Sequence, residues 1–125
     1  MLPVFLVEET TVRESGQSAV FEVREYSNQN LLLTFGITHA VEQESIGVDI
    51  HGSTDGVAWP PNPIISFTPK FYCGTYQLIL PRCRARYLKA VWRVSRWSRP
   101  DYMPFFRFYI FAHQARDRAA AAGAA

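Results

Sequence analysis

The stretch LLLTFGITHAVEQESIGVDIH (31–51) decides the fold class. In its first half Leu31, Leu33, Phe35 and Ile37 alternate with Leu32, Thr34 and Gly36, and in its second half Ile46, Val48 and Ile50 alternate with Gly47, Asp49 and His51. Successive side chains on a strand point to opposite faces, so a period of two, rather than the 3.6 of a helix, marks two strands that each bury one apolar face. The polar EQES (42–45) between them is a break.

The same grammar continues outward in both directions. Ala19, Phe21 and Val23 alternate with Glu22 and Arg24; Ile64, Ile65 and Phe67 read as a short strand, Tyr76, Leu78 and Leu80 as another, and YLKAVWRV (87–94) as a long one. FFRFYIFA (105–112) is apolar on both faces except at Arg107, the pattern of a central strand or of one covered by a partner. Gly16, SNQN (27–30), GSTDG (52–56), PPNP (60–63), Gly74, Pro81 and SRPDYMP (98–104) punctuate these runs. Strands recurring about every ten residues, with no amphipathic helix among them, predict an all-β chain: a single antiparallel β-sandwich or jelly roll of about seven to nine strands over 1–112. The remainder, HQARDRAAAAGAA (113–125), reads as a short Ala-rich tail, flexible or docked on a partner, because an isolated helix of that length is marginal.

A chain of 125 residues fits one domain and buries roughly two-thirds of its unfolded surface, enough to fold without a metal or disulfide. Its 48% hydrophobic and 19% charged residues are those of an ordinary globular protein, with a rich 14% of aromatics. No apolar run approaches the ~20 residues of a membrane span. The start, MLPVFLVEETTVRE, has no basic n-region and meets acids by Glu8, so no secretory signal is expected. The expected setting is the cytoplasm, or a particle assembled there.

The net charge of +2 hides a split. Residues 1–60 hold nine acids against two bases, and residues 61–125 hold eleven bases against two acids. Three readings stay open: cross-strand pairs between the two halves, opposed faces that attract subunits, or a basic face for an anion such as nucleic acid.

Catalytic constellations are not expected. His39, His51 and His113 show no HxH or HxxxH spacing, and His51 with Asp55 reads as a strand-face histidine followed by a turn aspartate. Cys73 and Cys83 lack CxxC spacing; they read as buried thiols in a reducing compartment, or as partners across a hairpin in an oxidising one. GSTDG lacks the GKS or GKT ending of a phosphate-cradling loop. The expectation is a protein that is not an enzyme, with neither cofactor nor metal.

What remains is binding. Arg82, Arg84 and Arg86 alternate in RCRAR, and Arg93, Arg96 and Arg99 follow beside Trp92 and Trp97. Arginine interleaved with aromatics serves protein interfaces and, less favoured here, single-stranded nucleic acid; a solvated strand face meeting the N-terminal acids is the plain alternative. Arg93, Arg96, Trp97, Arg99, Tyr102 and Phe106 are the expected contact residues. In DIHGSTDGVAW (49–59), Asp55-Gly56 suits a tight hairpin and Ser53 and Thr54 can bond nearby backbone, which makes a sandwich corner plugged by Trp59. Ser53, Thr54, Asp55 and Trp59 are the alternative ligand loop.

Two resemblances bear on function. HGSTDGVAW and, about thirty residues on, ARYLKAVWRV resemble the hairpin and strand of discoidin-type (coagulation factor C-type) β-sandwiches over residues 48–94, which implies a loop-borne site for carbohydrate, lipid headgroup or protein. More of the chain resembles small bacteriophage and prophage structural proteins: LLLTFGITHAVEQESIGVDIHGSTDGVAW, then FYCGTYQLIL, RYLKAVWRV and a terminal PFFRFYIFA occur in a similar order. That second resemblance implies a capsid-decorating or tail-associated sandwich. The expected function is therefore a structural protein binding a shell protein or sister subunits through aromatic and Arg-rich strand faces. A discoidin-like carbohydrate-binding module is the alternative. No membrane partner is expected.

Overall fold

The structure is a computed structural model that describes residues 4–23, 29–40, 44–96 and 106–114. Within them the chain forms nine strands and no helix: β1 (Val4–Val12), β2 (Gly16–Gln17), β3 (Phe21–Glu22), β4 (Leu31–Ala40), β5 (Glu44–Ser53), β6 (Ile65–Lys70), β7 (Gly74–Leu80), β8 (Tyr87–Arg96) and β9 (Phe106–Gln114). β9 continues through His113 and Gln114, and the rest of the Ala-rich tail, from 115, lies outside the described residues.

The strands make two antiparallel sheets, β1-β9-β4-β7 and β2-β8-β5-β6, with β3 also pairing β8. The partners nest: β1 with β9, β2 and β3 with β8, β4 with β7, β5 with β6. A long hairpin folded over and wound in this way is a jelly roll, with one arm interrupted between β2 and β3. The two alternating runs of 31–51 thus sit in different sheets, and the break between them carries the chain from one layer to the other.

Alternation places the core. Leu31, Leu33, Phe35 and Ile37 of β4, with Phe106, Phe108, Ile110 and Ala112 of β9, face Ile46, Val48 and Ile50 of β5, Phe67 of β6, and Leu88 and Ala90 of β8; all are buried. Rings bind the layers together: Phe67 meets Phe35 edge-on at 5.3 Å, Phe35 meets Phe108 at 5.7 Å, and Phe108 meets Trp92 at 5.4 Å. These four rings run from one sheet to the other and back, each contact adding about 0.5–1.5 kcal/mol beyond area burial. Trp92 keeps its polar end satisfied, its Nε1 donating to the Glu14 carbonyl at 3.1 Å.

Three local expectations change. The run at 19–23 is a strand only at Phe21–Glu22; between it and β2, Ser18 replaces ladder bonds by donating N–H to Ala90 O at 2.8 Å and accepting from Ala90 N–H at 2.9 Å. RCRAR is not a strand but the β7–β8 connection; its tight turn sets Arg82 at φ 45°, and Cys83 N–H donates to Gln29 O at 2.9 Å. The cysteines are free: Cys83 is buried, and Cys73, at the β6–β7 turn, is exposed rather than buried.

Candidate functional site: a loop cleft and an apolar sheet face

The 49–59 stretch ends β5 and enters a long connection to β6 rather than a two-residue hairpin. Gly56 takes the left-handed conformation, φ 78°. Ser53 is the organiser: its hydroxyl donates to Ala58 O at 2.6 Å and accepts from Gly56 N–H at 2.9 Å. Asp55 Oδ1 accepts from Val57 and Ala58 N–H, both at 2.9 Å. Those backbone donors, with the Ser53 hydroxyl, hold the Asp55 carboxyl below its usual range. Ser53 and Asp55 Oδ1 thus shape the loop, and Ser53 also lines the cleft beside it.

What that loop presents is Trp59. The indole is half-buried, and Lys89 Nζ stands 4.5 Å from its ring centroid in a cation–π contact. Gly52 and Ser53 at the end of β5, with Thr54, Ala58, Trp59, Pro60 and Ile64 of the connection, line an open cleft of about 490 Å³ together with Arg84 and Ala85 of the β7–β8 connection. The Arg86 N–H bond to Ser53 O, at 3.0 Å, ties that connection to the end of β5. Arg84, Ala85 and Ile64 also line an adjoining hollow of about 400 Å³ together with Arg82. Arg82, Arg84 and Arg86 are exposed, and no acid among the described residues pairs with them.

The two outer faces differ in kind. Sheet β2-β8-β5-β6 presents Asp49, His51, Ser66, Lys89 and Arg93; Asp49 Oδ1 accepts from Ser66 at 2.7 Å and pairs with Arg93 at 3.2 Å. Sheet β1-β9-β4-β7 presents instead Phe5, Tyr109, Phe111, Leu32 and Ile79, with Phe5 and Ile79 each 45% exposed. Phe5 packs edge-on against Phe111 at 4.8 Å and Tyr109 at 6.1 Å, while Tyr109 lies over Gly36, where any Cβ would overlap its ring. The registers Phe5–Phe111–Thr34–Gln77 and His113–Leu32–Ile79 carry this strip from one sheet edge toward the other. An Arg107–Glu9 pair at 2.6 Å closes one end, and with Thr38 it holds the Glu9 carboxyl below its usual range. Both ion pairs join an acid of the N-terminal half to a base of the C-terminal half, the cross-strand arrangement that the charge split allowed.

The expected contact residues fare unevenly. Arg93 is on an exposed face but paired with Asp49. Phe106 is corrected: it is 0% exposed, because its place in the alternation of β9 turns it into the core. Trp97, Arg99, Tyr102 and the side chain of Arg96 lie outside the described residues. The aromatics that do face outward, Phe5, Tyr109 and Phe111, were not singled out from the sequence. Their signal was the doubly apolar FFRFYIFA, in which Tyr109 and Phe111 alternate with the buried Phe106, Phe108 and Ile110.

Among the described residues no group of three potential metal ligands converges, and no helix is long and apolar enough to cross a membrane. The chain matches no known protein family and no curated protein.

Proposed function

We propose that the protein is a non-enzymatic structural subunit of a repeated particle of the bacteriophage kind, whose copies meet through the outer face of β1-β9-β4-β7. One observation carries the reading: the two solvent faces of a single sandwich differ, one presenting Asp49, His51, Ser66, Lys89 and Arg93, the other presenting Phe5, Tyr109, Phe111, Leu32 and Ile79 among Thr34, Gln77 and His113, with the Arg107–Glu9 pair at one end. Antiparallel sheets normally turn a polar face to water, and a contiguous apolar face marks a contact surface. A second copy is the occupant that fits. The middle of the strip carries no acid, lysine or arginine, so an identical strip related by two-fold symmetry meets it with no charge to neutralise. Repetition on a lattice then multiplies weak contacts through effective concentration.

The test is sedimentation velocity on wild type, Phe111→Glu and, as control, Arg93→Glu on the polar face. A glutamate placed in the strip abolishes association while the Arg93 variant keeps it; with wild type associated, equal behaviour of the two variants refutes the assignment of the face. A shell protein as occupant, rather than a sister copy, would leave all three monomeric and restore the Phe111 dependence only on that protein's addition. A ligand-binding module is the second reading, and the cleft beside Trp59 is the observation that favours it.

A further inference from the structure

We propose that the cleft between the 54–64 and 81–86 connections binds an acidic saccharide, one carrying carboxylate or sulfate groups. The inference rests on the ligand-binding reading of this cleft and not on how copies assemble, because neither connection belongs to the apolar strip.

Three features of the cleft specify the ligand. The first is a held aromatic platform. Trp59 follows a loop locked by Ser53 and Asp55 and lines the cleft, while Lys89, whose Nζ stands 4.5 Å from the ring centroid, does not line it. A preorganised ring loses little freedom on binding and offers a flat apolar surface to the C–H face of a sugar ring.

The second feature is unneutralised positive charge. Arg84 lines both hollows and Arg82 lines the second, and no acid among the described residues pairs with either. The acid nearest Trp59 in the chain, Asp55, lines neither hollow; its Oδ1 accepts from Val57 and Ala58 N–H. A guanidinium fork with no internal partner fits a carboxylate or sulfate bidentately.

The third is size and chemistry. A volume of about 490 Å³ falls within the ~300–1,000 Å³ of small-ligand sites. Ala58, Pro60, Ile64 and Ala85 give the cleft apolar walls, and the exposed Thr54 adds a hydroxyl able to bond a sugar hydroxyl. Single-stranded nucleic acid fits less well, since it tracks a series of stacking rings and only one lines this cleft.

The test uses the full chain and three probes in titration calorimetry: a tetrasaccharide of alternating uronic acid and N-acetylhexosamine, its O-sulfated form, and its carboxyl-reduced neutral form. At least one acidic form should bind saturably and about tenfold or more tighter than the neutral one, the ratio expected when a charge-assisted bond is lost. Trp59→Ala and Arg84→Gln should each weaken binding by a similar factor, while Trp59→Phe keeps most of it and Arg93→Gln all of it. Retention by Trp59→Phe shows that loss in the alanine variant reflects the ring and not misfolding. Absence of binding to all three probes overturns the proposal. So does binding insensitive to Trp59, or tighter binding of a single-stranded oligonucleotide of equal charge, either of which would mark a nonspecific basic patch.

Discussion

Replacing Gly36 by alanine tests how the outer aromatic strip is built. Gly36 lies opposite Tyr109 in the β4–β9 ladder, and a Cβ placed on it would overlap the Tyr109 ring and stand 2.5 Å from its hydroxyl oxygen. Gly36 is not among the residues with positive φ, so its backbone conformation does not oppose alanine. Two opposed effects follow. Overpacking that forces Tyr109 aside costs about 1–3 kcal/mol. Restricting a strand glycine in the unfolded chain returns about 0.5–1 kcal/mol. In wild type the net change is a loss of up to about 2.5 kcal/mol, since the clash outweighs the entropic gain. With Tyr109→Ala already present the clash disappears, and Gly36→Ala should stabilise by about 0.5–1 kcal/mol. Urea unfolding of the four members of this double-mutant cycle measures the coupling, about 1–3 kcal/mol. Equal effects of Gly36→Ala in both backgrounds would refute the placement of Tyr109 over Gly36, and with it the description of the strip.

Two further outcomes follow from titrating groups. Burial pushes the Cys83 thiol up, whereas Cys73 is exposed, so iodoacetamide should modify Cys73 quickly and Cys83 only at the rate of unfolding; equal rates measured by mass spectrometry would contradict the core assignment. The Asp55 carboxyl sits below its ordinary value of 3.8, so its contribution to stability is complete above that pH and is lost as pH falls through the folded value. The stability gap between wild type and Asp55→Ala should therefore be constant near neutrality and narrow in acid, and a gap that does not vary with pH would show that the Val57 and Ala58 bonds are not made to a carboxylate.

Period-two runs at 31–37 and 46–50 were legible because each keeps one face inward, whereas β9 was read as a central or partner-covered strand because it is apolar on both faces. β1 was missed because two register shifts, between Phe5 and Val7 and between Val7 and Thr10, put Leu6 and Val7 both inside and Glu8 and Glu9 both outside. A bulge erases the alternation that sequence reading depends on. That omission hid Phe5, and with it the completed aromatic strip. The 49–59 turn misled in another way: Asp55-Gly56 does take turn geometry, but Ser53 and Asp55 spend their polar atoms inside a longer loop, and the prolines after Trp59 carry the chain away from a hairpin. RCRAR alternates in composition only, since no strand partner continues beyond Leu80. Arg84, the most consequential residue of the cleft, gains its significance from a neighbour twenty-five positions earlier that only the fold brings near.

The central claim is that the outer face of β1-β9-β4-β7 is covered by another copy. The mass of the native species by sedimentation, followed by electron microscopy of the same fractions, tests it most directly. Discrete oligomers or ordered arrays of the 14.3 kDa chain, dissociating in Phe111→Glu, are the predicted result. A species that stays monomeric at every concentration, with Phe5 and Phe111 open to solvent, would contradict it.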